Sequence, residues 1–280
     1  MVFFKVMRMA AVLWLGMATA CVPMAQDLRK KADKLAASAD MRGIEVHGGA
    51  FTLWAYERMR DRTAPVRIYI EGDGNAWLTR NQVSPDPTPR NPVALMLAVQ
   101  DASPNVVYIA RPCQYMMSEQ CNAQYWTYAQ FNETIIAGMN QAINRWKGHP
   151  IELVGYSGGA AVALLIAARR PDVVALRTVA GNVDIDAFVQ IHNISPLSES
   201  LNPADYKGRT AFIPQRHFSG AKDRVVPPVL IETYQRHLPA GHCSAYTIVP
   251  DRNHSSGWAN QWASLLALPL PCQQNGLQRP

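Results

Sequence analysis

"IELVGYSGGAAVALLIAARR", residues 151–170, runs from a short apolar segment through Gly155-Tyr156-Ser157-Gly158-Gly159 into an Ala/Leu helix. The pentapeptide fits G-x-S-x-G. A nucleophile on a sharp strand-to-helix turn needs neighbours nearly free of side chains, and Gly155 and Gly159 supply that clearance. The turn lifts the Ser157 hydroxyl to the top of a sheet. The helix that follows offers backbone N–H groups and the positive end of its dipole, so the Gly158 N–H is placed for a developing oxyanion. Ala160 to Ala168 is apolar nearly all round, which predicts a buried helix. The same glycines also suit a plain turn that packs a core helix. Strand, turn and helix in succession favour the nucleophile.

Outward from this stretch, extended and helical segments alternate from residue 44 onward. Strands are predicted in 49–58, in "VRIYIEGDGNAW" at 66–77, and in 105–112, closed by Pro112. The apolar spacing of Ile135, Met139 and Ile143 predicts a helix within 128–147. Pro92 opens a helix in 91–102. Beyond residue 170 come a strand "VVALRTVAG", a strand "TAFIPQRHFSG", a helix "PPVLIETYQRHL", a strand "CSAYTIVP" and a helix "SGWANQWASLLAL". This order predicts an α/β fold, a mostly parallel sheet covered by helices on both faces. Ligands bind such sheets at the carboxyl ends of the strands.

With the elbow, a glycine loop after an early strand and an ordered acid and histidine, residues 65–268 resemble the α/β-hydrolase family. The resemblance implies the chain order serine, acid, histidine. Asp223, in "HFSGAKDRVVPP", matches the acid loop and would orient the histidine; an Asp there could instead cap the next helix. Asp184, Asp186 and Asp251 are rivals. His254, in "VPDRNHSSGW", stands between the last strand and the last helix, where the family keeps its general base. His192 and His217 are nearer contenders than His237 and His242. The loop Glu71-Gly72-Asp73-Gly74-Asn75 would donate the second oxyanion N–H, from Asp73 or Gly74. An acid at position 73 would repel an oxyanion unless it points away or is paired. The aromatic and Met-rich loop that starts at Ala110 reads equally as a wall of the substrate pocket and as a stapled surface loop. Residues 182–208 stand where the family places a cap, a modest one here.

The chain has 280 residues, 48% hydrophobic and 17% charged, with net charge +6. The first twenty residues hold Lys5 and Arg8 and no acid, which leaves 25 bases against 21 acids. The bases are scattered, so nucleic acid is not an expected partner. Lys5 and Arg8, the apolar run Met9–Met17 and Ala18-Thr19-Ala20 form a secretory signal over 1–20. Two processing sites compete. Ala18-x-Ala20 suits ordinary signal peptidase, whereas the same residues before Cys21 resemble a bacterial lipobox, with Cys21 lipidated. Five cysteines leave one unpaired in an oxidising compartment, and lipidation of Cys21 makes the remainder even. Nearest neighbours in sequence give Cys113–Cys121 and Cys243–Cys272. Val22 after Cys21 implies, by resemblance to bacterial lipoproteins, an outer-membrane destination. Residues 21–43 then form a polar tether, or a loose helix, ahead of a domain over 44–280.

These features predict a serine hydrolase of carboxylic esters or thioesters, membrane-attached through lipid and without a required metal or cofactor. An acyltransferase would use the same three residues, and a non-catalytic envelope lipoprotein could keep the scaffold for binding.

Overall fold

The computed structural model describes residues 21–273, with side chains from residue 26. The signal segment lies outside the described residues, as does the side chain of Cys21. The segment expected as a tether is helical over Cys21–Ala37 (α1) and is docked on the domain. Ala32 and Ala36 are buried. The Arg29 guanidinium lies 3.5 Å from the centre of the Trp54 ring, and the Tyr56 hydroxyl donates to Asp33 at 2.7 Å. Small residues at i and i+4 let this helix approach the sheet closely, and its lysines stay on the outer side.

The strands are β1 (Arg42–Gly48), β2 (Phe51–Met59), β3 (Val66–Ile70), a small hairpin of β4 (Trp77–Thr79) and β5 (Gln82–Val83), β6 (Asn105–Ile109), β7 (Ile151–Tyr156), β8 (Val173–Val179), β9 (Gln215–Gly220) and β10 (Ser244–Val249). Eight of them form one sheet in the order β1-β2-β6-β3-β7-β8-β9-β10. The pairs β1–β2 and β2–β6 are antiparallel, and all later pairs are parallel. β1 begins two residues ahead of the expected domain start and pairs with β2 through a turn at Gly49, where φ is +66°.

The other helices are α2 (Val93–Ala98), α3 (Glu133–Ile143), α4 (Gly158–Ala167), α5 (Ile185–His192), α6 (Lys207–Thr210), α7 (Pro228–Arg236) and α8 (Trp258–Leu266). They cover both faces. One core joins Ile68, Ile70 and Leu153 to α3, α4 and α7; the other joins Tyr69, Tyr108 and Val154 to α1, α2 and α8. Alternate residues of one strand thus enter opposite cores, which is why the central strands read as continuous apolar runs. Every residue of α4 is buried. The chain leaves β3, β6, β7, β9 and β10 at the same edge of the sheet, because these five run parallel. Residues 71–75, 111–132, 157, 221–226 and 250–257 meet there.

Candidate active site

Ser157 sits between β7 and α4 with φ 51° and ψ −121°, a left-handed φ that a side-chain-bearing residue adopts only when its surroundings enforce it. Both of its peptide groups are tied down. Its N–H donates to the Val179 carbonyl at 3.0 Å, and its carbonyl accepts from the N–H groups of Ala160 and Asn182, each at 3.0 Å. The flanking glycines leave no room for a Cβ. At Gly155 it would lie 2.4 Å from the Gly159 carbonyl oxygen, and at Gly159 2.3 Å from the Ile70 carbonyl oxygen. The chain therefore brings β3 and the start of α4 closer than any side chain allows.

Asp223 and His254 converge on this turn. His254 Nε2 is 3.0 Å from Ser157 Oγ, and His254 Nδ1 is 2.9 Å from Asp223 Oδ2. A carboxylate only accepts, so the Nδ1–H is the donor; Nε2 is left unprotonated to accept from the serine hydroxyl. The Asp223 side chain is fully buried, and its Oδ1 accepts from the Val225 and Val226 N–H groups at 2.8 and 2.9 Å. One oxygen holds the loop while the other holds the imidazole. The carbonyl of His254 accepts from Tyr156 and Trp258, which fixes the backbone under the ring.

The rival residues are engaged elsewhere. Asp184 caps α5, accepting from the Ala187 N–H, and Asp186 accepts from Asn202. Asp251 pairs with Lys222 at 2.6 Å on the surface. His217 is buried between Thr178 and Gln215, and burial pushes its pKa down to about 3. His192 contacts the Val225 carbonyl, His237 that of Thr233, and His242 the Ser244 N–H.

The glycine loop crosses directly above the serine. A Cβ on Gly72 would lie 3.1 Å from Ser157 Cβ. Neither the Asp73 N–H nor the Gly158 N–H donates to a protein acceptor among the described residues. Gly74, with φ +67°, abuts the segment at Pro87, whose carbonyl oxygen a Cβ would meet at 2.1 Å, and its N–H likewise donates to no protein acceptor among the described residues. The carboxylate of Asp73 covers the face of Gly158, with Oδ1 1.8 Å from the position of a Cβ there. It is paired with Arg111, whose Nη1 is 3.3 Å away. Desolvation pushes the Asp73 carboxyl up, and Arg111 and His254 pull it back. Beneath the loop, the buried Glu71 accepts from the Gly72 and Ala94 N–H groups, and burial pushes its carboxyl up to about 7.

Arg111, Gln114 and the ionisation of Glu71 were not read as part of the site from sequence. Arg111 and Gln114 belong to the loop after β6, and no spacing rule marks them; only the four-residue run "RPCQ" at a strand end places them near the sheet edge. Both expected disulfides are present, with Cα separations of 5.7 Å for Cys113–Cys121 and 5.4 Å for Cys243–Cys272. In this loop Tyr128 stacks edge-on against Trp77 of β4 at 6.0 Å, both rings partly open to solvent.

No known family model matches the chain, and neither does any curated protein. Solved structures do. A membrane phospholipase A, described as a bacterial virulence factor, is 14% identical with a TM-score of 0.59, over 88% of this chain and 91% of that one. Est1E from Butyrivibrio proteoclasticus is 11% identical with a TM-score of 0.55, over 80% and 95%. The esterase domain of a Rhodothermus marinus protein is 12% identical with a TM-score of 0.55, over 80% and 94%. With a mostly parallel eight-stranded sheet, a strained serine turn after β7 and helices on both faces, the chain has the α/β-hydrolase fold.

Proposed function

We propose that the chain is a serine hydrolase that cleaves carboxylic esters or thioesters through an acyl-enzyme on Ser157. The observation that carries this reading is the continuous relay from Asp223 through His254 to Ser157, at 2.9 and 3.0 Å, on a turn whose φ is 51°. Ser157 Oγ attacks the acyl carbon as His254 Nε2 takes its proton. Asp223 holds the imidazole in the required tautomer and stabilises the imidazolium. The N–H groups of Gly158 and Asp73 receive the oxyanion, and one such donor is worth about 3 kcal/mol in the barrier. His254 returns the proton to the departing oxygen or sulfur. Water then attacks the acyl-enzyme with His254 again as base, which releases the acid and restores Ser157. The esterases and the phospholipase among the similar structures agree with this class of substrate.

The pairing of Asp73 with Arg111 supports the oxyanion assignment, because a lone carboxylate against Gly158 would oppose the developing charge. Fluorophosphonate labelling of residues 22–280, with the adduct mapped by mass spectrometry, tests the reading. Labelling at Ser157 that disappears in Ser157→Ala and His254→Ala is the expected result. A folded protein that takes no label refutes it.

Cys21 is also proposed as a lipid attachment site facing an oxidising compartment. Four of the five cysteines close two disulfides, which leaves Cys21 as the remaining thiol. Among the described residues no helix is long and apolar enough to cross a membrane. Cys21→Ala should move the protein from the membrane to the soluble fraction, and an unmodified Cys21 in the mature protein would refute the assignment.

A further inference from the structure

An oxyanion donor at Asp73 requires the Gly72–Asp73 peptide to present its N–H towards the serine; the loop's own hydrogen bonds hold the Gly72 N–H to Glu71 and the Asn75 N–H to Pro87, and neither holds the Gly72 carbonyl. The group that does so comes from the loop after β6. Gln114 is 1% exposed, and both ends of its amide are engaged. Its Nε2–H donates to the Gly72 carbonyl at 2.9 Å, and its Oε1 accepts from the Arg111 N–H at 3.0 Å. A peptide unit is planar and trans, so its C=O and N–H point in opposite directions. Holding the Gly72 oxygen towards Gln114 therefore turns the Asp73 N–H to the other side of the loop. Ser157 and Gly158 lie against that loop, touching Gly72 and Asp73 respectively.

Gln114 is itself held rigidly. Its neighbours Cys113 and Tyr115 both have left-handed backbones, with φ 72° and 61°. Cys113 is bonded to Cys121, and the Tyr115 N–H donates to Thr88 Oγ1 at 2.8 Å. The segment is over-determined on each side of the one residue whose amide reaches across to the glycine loop. Gly74 completes the contact: a Cβ there would lie 2.7 Å from Gln114 Nε2.

We propose that Gln114 is a positioning residue for the oxyanion site, fixing the Gly72–Asp73 peptide so that the Asp73 N–H faces the reacting carbonyl. This inference rests on the reading of Ser157 as the nucleophile. Its signature differs from that of a residue that only supports the fold. Loss of the amide should weaken binding of the oxyanion and leave ground-state binding alone.

The test compares wild type with Gln114→Leu and Gln114→Glu on p-nitrophenyl butyrate, and measures inhibition by an alkyl trifluoromethyl ketone. Ser157 Oγ adds to the ketone carbon, its proton passes to His254, and the ketone oxygen becomes an oxyanion. Glutamate keeps the size and the acceptor for Arg111; assayed at pH 9, above the range to which burial pushes the neighbouring Glu71, it is ionised and cannot donate to Gly72. Both variants should lose about 10²- to 10³-fold in kcat with KM within threefold, and the ketone Ki should rise by the same factor. Full kcat in either folded variant overturns the proposal. So does a kcat loss that the ketone Ki does not follow. Absence of wild-type turnover and of any Ser157 adduct would overturn the nucleophile reading itself, and this inference with it. If Gln114→Leu fails to fold, Gln114→Glu alone decides.

Discussion

Asp223 makes contacts of two kinds through two oxygens, so one substitution can separate them. Asparagine at 223 keeps a carbonyl oxygen for the Val225 and Val226 N–H groups, bonds now 2.8 and 2.9 Å long. Its NH2 must then take the place of Oδ2, because two N–H donors cannot face the loop amides. That NH2 points at His254 Nδ1, now 2.9 Å from a carboxylate oxygen. Nδ1 has to accept, the ring proton moves to Nε2, and Nε2 can no longer receive the serine proton. A tautomer reversed in this way costs about 10⁴-fold in kcat, or about 5.5 kcal/mol in the barrier. Alanine at 223 removes the loop bonds as well. Two hydrogen bonds to an ionised group are worth roughly 3 kcal/mol or more together, a fall in Tm of roughly 6–12 °C for a domain of this size. Ester turnover and thermal unfolding of Asp223→Asn and Asp223→Ala form the assay. Both variants should be nearly inactive, and only the alanine should melt early. An asparagine variant that keeps more than a tenth of wild-type kcat, or that loses as much Tm as the alanine, refutes this account of the acid.

Three further outcomes follow from the geometry. Gly155→Ala places a Cβ 2.4–2.6 Å from backbone atoms of Gly159 and Ala160, which no side-chain movement relieves, so both stability and turnover should collapse; a soluble variant with normal Tm would contradict the elbow packing. Glu71, raised by burial to about 7, stays protonated in the folded chain over a range where the unfolded chain ionises. Stability should therefore fall as pH rises from about 4.5 to 7 and level off above that, by an order of 3 kcal/mol, and Glu71→Gln should flatten the decline in urea midpoints measured across that window. The Cys243–Cys272 bond spans 29 residues, so replacing both cysteines with serine should lower stability by about 3.5 kcal/mol in urea unfolding while leaving kcat near wild type; a large kcat loss would tie this distant loop to the site.

The fold was legible because the central strands and α4 carry their burial in their sequence. β3, β6 and β7 enter two cores and must be apolar on both faces, and α4 is enclosed on all sides. Ser157, Asp223 and His254 were legible as candidates because each sits at a strand end marked by its own glycine, proline or turn residues. The docking of α1 was not, since its contacts with the sheet rest on two alanines, an arginine over Trp54 and Asp33, none of which forms an apolar stripe. β1 and the β4–β5 hairpin escaped for a similar reason: β1 carries glycine and charge, and a two-residue strand has no period. Arg111 and Gln114 contact, across the sheet edge, a loop some forty residues away, which only the folded chain brings within reach.

The backbone at Ser157 has a consequence for how this chain can change. A residue with a side chain at φ 51° sits about 1–2 kcal/mol above the conformation it would choose, and glycine would relieve most of that. Under the proposed function, the substitution most favourable to folding at this position is thus also one that removes the nucleophile. Selection for heat resistance alone would drift towards an inert protein through a single codon. A library screened for thermal tolerance should therefore retain a turnover requirement, because at this turn durability and chemistry pull the same atom in opposite directions.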